Sequence, residues 1–530
     1  MDKNLIRAMA EEYTEFLRDE SRMVGKAESI SFPQCEKEMV HIVKKMVDRQ
    51  IPITLQGGRT GLAAGAVPLK GHVMNTSRMD KIVGMRKDDQ GSYYLRLQPG
   101  ITLSQLRKKI EMKAFDHHDW KVDDKKAYIE FCEEPEYFFS PDPTEASATL
   151  GGMVACNASG ARSYHYGSIR SYVTSLRLVL ANGDTVEIKR GTIIAKGREA
   201  ELMTEQGNLL KLKLPQYQSP SIKNASGYYV ADDMDVIDLF IGSDGTLAII
   251  SEIEVKLLKM PPVVWGISCF FTQEALAVNF VKEIRKKTDK VASIEYFDGD
   301  ALEILRVQKK KGLTFANLPD ISPEMKAAVY VEIHVETTQE AIELLKLLKK
   351  KIKKADGDTK HTWVARVDVD RDRLLFFRHA IPESVNMLID ERKKDCPTIT
   401  KLGTDMAVPD EFLDWVINVY REKLKAKGIR SAVWGHIGDN HLHVNLLPRN
   451  EKEYELGKEI YAEWASEISK VGGVVSAEHG VGKLKYQFLE TMYGSAAVEQ
   501  MRSLKQIFDP LEILGRGNLF SFTEGQEEKK

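Results

Sequence analysis

Residues 51–65, Ile51-Pro52-Ile53-Thr54-Leu55-Gln56-Gly57-Gly58-Arg59-Thr60-Gly61-Leu62-Ala63-Ala64-Gly65, run a short apolar strand (51–55) straight into four glycines within nine residues. Glycine permits positive φ and removes the Cβ that would hold an anion away, so such a turn presents backbone N–H groups to a phosphate. It lacks the Lys-Ser/Thr of a nucleoside-triphosphate loop and the GxGxxG spacing of a dinucleotide-binding βαβ unit. By itself the cluster reads equally well as tight-turn punctuation. A second segment poor in side-chain bulk follows: Pro141-Asp142-Pro143-Thr144, Gly151-Gly152, Asn157-Ala158-Ser159-Gly160 and Tyr166-Gly167. Two such stretches suggest backbone laid along an extended ligand, for which a diphosphate-containing dinucleotide is the natural candidate.

Outward from this loop, residues 4–22 read as a charged helical lead-in. The segment after Pro33 spaces Met39, Ile42, Val43, Met46 and Val47 three or four apart and predicts an amphipathic helix. Strands are expected at 72–76 and 93–98. Residues 109–140, with Asp116-His117-His118-Asp119 inside them, read as an irregular charged insertion whose histidines are solvated surface rather than metal ligands. Leu176–Leu180, Asn182-Gly183 and Thr185–Ile188 spell a hairpin with its turn dipeptide. A strand near 242–257 places Ile253, Val255 and Leu257 on one face.

Pro261-Pro262 marks a boundary. Beyond it the expected order is strand (264–271), helix (273–287), strand (291–297), strand (327–335) and helix (338–352). Val329, Val331, Ile333 and Val335 alternate with Tyr330, Glu332, His334 and Glu336, which predicts a sheet covered on one side. Helices are expected around 453–470 and up to Phe508. Four divisions follow: a lead-in at 1–26, a ligand-binding domain at 27–262, a cap at 263–475 and a closing segment at 476–530. The fold class is α+β.

The chain has 530 residues, too many for one core, and 76 Lys+Arg against 78 Asp+Glu for a formal charge of -2. No global basic field exists to hold nucleic acid. The N-terminus carries charge in place of a signal-peptide core, and no transmembrane segment is read, so a cytoplasmic protein is expected, reaching a membrane only peripherally through a partner. Cys35, Cys132, Cys156, Cys269 and Cys396 form no CxxC, which argues against an iron–sulfur cluster, a thiolate zinc site or a disulfide framework.

The run from Gly57-Gly58 to Ala66-Val67-Pro68, with Pro141-Asp142-Pro143-Thr144, Gly151-Gly152-Met153-Val154-Ala155 and Asn157-Ala158-Ser159-Gly160, resembles the FAD-binding domain of the vanillyl-alcohol-oxidase superfamily. Within it the likeness is to the D-lactate and D-2-hydroxyglutarate dehydrogenase branch, which includes the glycolate oxidase FAD subunit. The resemblance implies a two-subdomain FAD-binding domain of the PCMH type, an α+β substrate cap with an antiparallel sheet, and a C-terminal return to the flavin. The FAD contacts it implies are Gly57, Gly58, Arg59, Thr60, Gly61, Leu62, Pro141, Asp142, Thr144, Gly151, Gly152, Asn157, Ser159, Gly160, Tyr166, Gly167, Ile249 and Asn518. Arg59 stands where the branch usually has a third glycine, and is expected to touch a phosphate or point to solvent. No histidine lies between Gly57 and Pro68, so the FAD is expected to be non-covalent.

Further along stands Trp434-Gly435-His436-Ile437-Gly438-Asp439-Asn440-His441-Leu442-His443-Val444-Asn445. A hairpin turning at Asp439-Asn440 puts His436 directly opposite His443, a spacing that suits two imidazoles on one metal, with Asn445 on the same face. Glu478 in Ser476-Ala477-Glu478-His479-Gly480 is the candidate third ligand of a site with an open position. The family resemblance implies the same set, His436, His443 and Glu478, for a divalent metal: zinc first, with manganese or iron as alternatives. His441 shares parity with His443 and competes with it for the role.

This chemistry suits alcohol oxidation, in which a Lewis acid lowers the hydroxyl pKa, a base takes the proton, and hydride passes to flavin N5. His479 is the expected base. Arg378 and Lys401 resemble the family's substrate-binding positions, Arg378 as a carboxylate clamp. Pro382 and the spacing of Lys401 depart from the 2-hydroxyglutarate enzymes, favouring a smaller D-lactate-like acid. The expected partners are a small 2-hydroxy acid, an external electron acceptor (electron-transferring flavoprotein, cytochrome or quinone) and a second copy in a homodimer. The alternatives are a superfamily relative with other chemistry, such as a sugar or lactone oxidase or an alkylglycerone-phosphate synthase, and a catalytically idle flavin-binding subunit.

Overall fold

The helix expected after Pro33 spans Glu36–Asp48 and buries Met39, Ile42, Val43 and Met46, the residues its periodicity singled out. It packs into a core with Ile53, Met74, Val179, Ile249 and Leu514, bringing the first strands, the central hairpin and the C-terminal return together. A computed structural model describes residues 5–521 of the chain, which divide into two units. One comprises the described residues up to Ser159, Ser168–Met260 and those from Ser476 on; the other comprises Gly160–Gly167 and Pro261–Val475.

In the first unit, Ser29–Ser31, His72–Asn75 and Ile53–Gln56 pair in parallel, and Ile6–Ala8 adds an antiparallel edge. The lead-in is therefore not the helix expected over 4–22, of which residue 4 lies outside the described residues. Ile6–Ala8 is a strand, and Glu11–Leu17 is a 3-10 helix. Tertiary bonds override helical propensity here: Gln56 Nε2 donates to the carbonyls of Phe16 and Ala66, both at 2.7 Å, tying the lead-in to the glycine loop. A five-stranded antiparallel sheet contains the expected hairpin, Val173–Val179 with Thr185–Lys189, beside Ile249–Lys256. Residues 109–140 are more regular than expected. Val122–Glu133 is a helix with Phe131 buried, while His118 is almost fully exposed.

His72 lies in the central parallel strand at 0% exposure, with Ser29 Oγ 2.8 Å from Nδ1 and Ser31 Oγ 2.7 Å from Nε2. Burial lowers its pKa from 6.5 to about 4, so it stays neutral in the fold where the unfolded chain takes up a proton. The unfolded state thus binds more protons between those values. Stability is full above pH ~6.5 and falls by about 3 kcal/mol as pH drops toward ~4. Urea unfolding at pH 7 and pH 5 should show about 2 kcal/mol of this loss in the wild type and a flatter response in His72→Gln; an equal loss in the two proteins would refute it.

In the second unit one antiparallel sheet runs in the order Asp358–Ala365, Val263–Phe271, Ala327–Val335, Val291–Asp298, Ser431–His436, His441–Leu446 and Leu402–Gly403, with Met406–Ala407 also pairing to His441–Leu446. One face carries Val329, Val331 and Ile333 beneath helices Glu274–Arg285 and Thr338–Lys354. The expectation of a sheet covered on one side fails, because every residue of Ala327–Val335 is buried. Helices Gly299–Lys311 and Asp368–Lys393 cover part of the other face, packing Leu302, Phe377 and Ile381 against Phe297, Tyr330 and Trp434. The rest of that face carries the polar residues described next.

Candidate active site

In the first unit the two small-residue segments wall one cavity of about 300 Å³. Gly57, Gly58, Arg59, Thr60, Gly61 and Leu62 contribute from the first loop; Thr144, Gly151, Gly152 and Ser159 from the second; Ile249, Glu478, His479 and Asn518 complete the expected members. Pro141, Asp142, Asn157, Gly160, Tyr166 and Gly167 are not among the wall residues. Asn157 donates to the Asn224 carbonyl at 3.0 Å, and in the second unit Tyr166 Oη lies 2.6 Å from His334 Nδ1.

The loop is pressed so closely against the second segment that a Cβ at Gly57 would lie 2.0 Å from Thr149 Oγ1, and one at Gly58 2.6 Å from the Ser147 carbonyl. A Cβ at Gly61 would instead meet nothing within 4 Å. Leu62, 44% exposed, offers an apolar side chain to the same space. Close backbone approach, apolar surface and the Thr60 and Thr144 hydroxyls are what a flavin dinucleotide needs.

Arg59 has φ +60, the left-handed backbone a glycine would supply, at a cost of roughly 1–2 kcal/mol for a residue with Cβ. Its guanidinium stacks 4.3 Å over Phe16 and pairs with Glu15 at 3.2 Å.

Sequence reasoning missed the groups that brace the cavity wall. Lys483 Nζ donates to Asn518 Oδ1 at 2.6 Å and to the Gly65 carbonyl at 3.2 Å, while Asn518 Nδ2 donates to the Gly65 and Asp244 carbonyls at 3.1 and 3.0 Å. Burial lowers the Lys483 pKa to about 8 and raises that of Asp244 to about 6, against the N–H groups of Gly482 and Val481 that bond its carboxylate. Glu478 pairs with Lys223 at 2.7 Å and lies 3.6 Å from His479. Nothing in the sequence around Lys223 signals that role.

In the second unit the histidine hairpin is built on a four-residue connection. Ile437–Asp439 forms a 3-10 turn and Asn440 takes φ +52, so the register pairs His436 with His441, Gly435 with Leu442 and Trp434 with His443. The expected His436–His443 opposition is therefore shifted by two residues. A two-residue primed turn centred on Asp439-Asn440 needs positive φ at its first central residue, and of the two only Asn440, the second, has it. A shift of two keeps side-chain parity, so His436, His441, His443 and Asn445 still share one face. Arg285 holds the connection by donating to the Gly438 carbonyl at 3.0 Å and Asn440 Oδ1 at 2.9 Å. Gly435, at φ +138, leaves the space in which a Cβ would lie 3.1 Å from the His443 ring.

One nitrogen of each of His436, His441 and His443 lies within 4.8 Å of the others. His436 Nδ1 is 2.6 Å from Glu295 Oε1, and His443 Nδ1 is 2.9 Å from the Thr404 carbonyl. Both acceptors favour the Nδ1–H tautomer and direct the Nε2 lone pair elsewhere, the arrangement of metal-binding imidazoles. His441, wholly buried, has Nε2 3.0 Å from Asp405. The donor set fits a divalent transition metal.

Arg378 Nε pairs with Glu295 Oε2 at 3.0 Å, so the expected clamp is itself anchored. Pro382, one turn on in the same helix, cannot donate to the Arg378 carbonyl. Lys401 Nζ stands 5.6 Å from the Trp434 ring. Asn445 Nδ2 donates to the His443 carbonyl at 3.1 Å, and its buried Oδ1 has no protein hydrogen-bond donor among the described residues.

Residues 27–123 and 128–189 match an FAD binding domain family, and residues 260–519 match the C-terminal domain of FAD linked oxidases. The chain belongs to the FAD-linked oxidase family, in the branch of D-lactate and D-2-hydroxyglutarate dehydrogenases, and is an FAD-dependent oxidoreductase. It is 28% identical to a D-lactate dehydrogenase of Archaeoglobus fulgidus, over 92% of this chain and 90% of that one. It is 25% identical to glycolate oxidase subunit GlcD of Bacillus subtilis (93% and 89% covered) and to a D-2-hydroxyglutarate dehydrogenase of Stutzerimonas stutzeri (93% and 91%). Among solved structures it resembles p-cresol methylhydroxylase (TM-score 0.64, 14% identity, 97% of this chain and 93% of that one), a likeness of fold alone. The α+β fold with a PCMH-type FAD-binding domain is as expected. No helix among the described residues is long and apolar enough to cross a membrane.

Proposed function

We propose that this protein is an FAD- and divalent-metal-dependent dehydrogenase that oxidises a D-2-hydroxy acid, D-lactate or one of similar size, to the 2-oxo acid and passes the electrons to an external carrier. The observation that carries the reading is the trio His436, His441 and His443 on one sheet face, with the Nδ1 atoms of His436 and His443 engaged. The reading takes His436, His443 and Glu478 as the ligands, with His441 buried beside Asp405. Bound FAD supplies the hydride acceptor and the metal supplies Lewis acidity.

The protein's own residues do the rest. Arg378 offers a planar fork to the substrate carboxylate, with Lys401 as a second cation. His479 takes the hydroxyl proton. Asn445 Oδ1 is an acceptor for a substrate donor. The small-acid preference rests on Pro382 and on the family spacing of Lys401.

Anaerobic addition of D- and L-2-hydroxy acids to the purified flavoprotein tests this. D-lactate should bleach the flavin absorbance, L-lactate should not, and a chelator should abolish the bleaching. A bound flavin that no hydroxy acid reduces would sink the proposal.

A further inference from the structure

We infer that Glu295 is a positioning residue that couples the metal-binding histidines to the carboxylate anchor, an inference resting on the ligand role proposed above for His436. Glu295 is the one charged residue in the apolar run Ile294-Glu295-Tyr296-Phe297 and is 2% exposed. Phe297 pairs with Trp434 in the neighbouring strand, so Glu295, two residues back, shares that face and stands beside His436. Its oxygens serve different partners: Oε1 accepts from His436 Nδ1 at 2.6 Å, and Oε2 meets Arg378 Nε at 3.0 Å.

A carboxylate this deep is costly unless paired and hydrogen-bonded, and these two contacts meet both needs. Toward His436 it fixes the tautomer, locks the ring and raises the basicity of Nε2. Toward Arg378 it holds the guanidinium by Nε, so the plane of the fork is set before substrate arrives. One side chain thereby sets both the affinity for metal and the fit of the substrate carboxylate. Substitution at Arg378 removes the substrate anchor and leaves the Glu295–His436 contact in place.

The experiment compares flavin-bound wild type, Glu295→Gln, Glu295→Asp and Arg378→Met. Zn2+ retained against a graded chelator is counted per flavin, and kcat and KM for D-lactate are measured on the Zn2+-loaded proteins. Glu295→Gln is expected to weaken Zn2+ retention about 10–100-fold, the range for an outer-shell partner of a metal-bound histidine. It should also raise KM about tenfold, because Arg378 loses its charge-assisted bond. Arg378→Met should raise KM and retain Zn2+ as the wild type does. Glu295→Asp, with the charge kept on a shorter arm, should fall between, and it carries the comparison if the glutamine variant loses flavin. A wild type without chelator-sensitive Zn2+ overturns the metal reading itself. A wild type that binds Zn2+, with Glu295 variants that match it in retention or in KM, overturns the coupling alone.

Discussion

Replacing His436 with alanine is expected to slow reduction of the bound flavin by D-lactate about 10³-fold, the several kcal/mol that a Lewis acid supplies at the transition state, with flavin content unchanged. The imidazole is 4% exposed, and its Nδ1 contact with Glu295 reserves Nε2 for a ligand. Alanine removes that donor and leaves Glu295 with Arg378. Flavin content should hold because His436 is absent from the wall of the glycine-lined cavity. His443→Ala should behave alike. His441→Gln should keep its metal and lose stability instead, since that ring is buried against Asp405. Stopped-flow bleaching with metal counted per flavin separates these cases; a His436→Ala protein reduced at the wild-type rate would remove His436 from the chemistry.

The second large effect is expected at Gly61. Its missing Cβ opens onto space with no protein atom within 4 Å, in the wall of the cavity. Gly61→Val should therefore fold, yet purify with little flavin. Overpacking of a filled site costs about 1–3 kcal/mol, or roughly 10–100-fold in affinity. Gly57→Val is the contrasting case, because its Cβ would strike Thr149 Oγ1 within the protein itself. It should lose thermal stability and flavin together. Flavin content by absorbance and unfolding by circular dichroism distinguish the two, and full flavin in Gly61→Val would show that the cofactor does not approach that residue.

Much of the architecture was legible in the sequence because it rests on short-range periodicity. The helix Glu36–Asp48, the hairpin turning at Asn182-Gly183 and the strand Ala327–Val335 were each written in local spacing, although the alternation in that strand marks no solvent face. The lead-in was misread because its hydrogen bonds go to residues ~40 positions away, which no local window contains. The partners of the site residues were hidden for the same reason. Glu295 and His436 are separated by 141 residues, and Asp405 reaches His441 only through the tertiary fold. The local mark of Glu295 is a charge at an inward position of an apolar strand.

By itself the sequence determined that two glycine-rich segments belong to one flavin-binding architecture, and that several histidines fall on one face of a hairpin. The first follows from the family resemblance those segments carry and the second from residue spacing, and side-chain parity survives an error of two in the register. Only the tertiary structure decided that His436 opposes His441, that Arg59 turns to Glu15 and Phe16, and that one buried carboxylate serves both His436 and Arg378. Those choices depend on turn conformation and on partners from distant strands and helices, which compete for each polar group once it is removed from water.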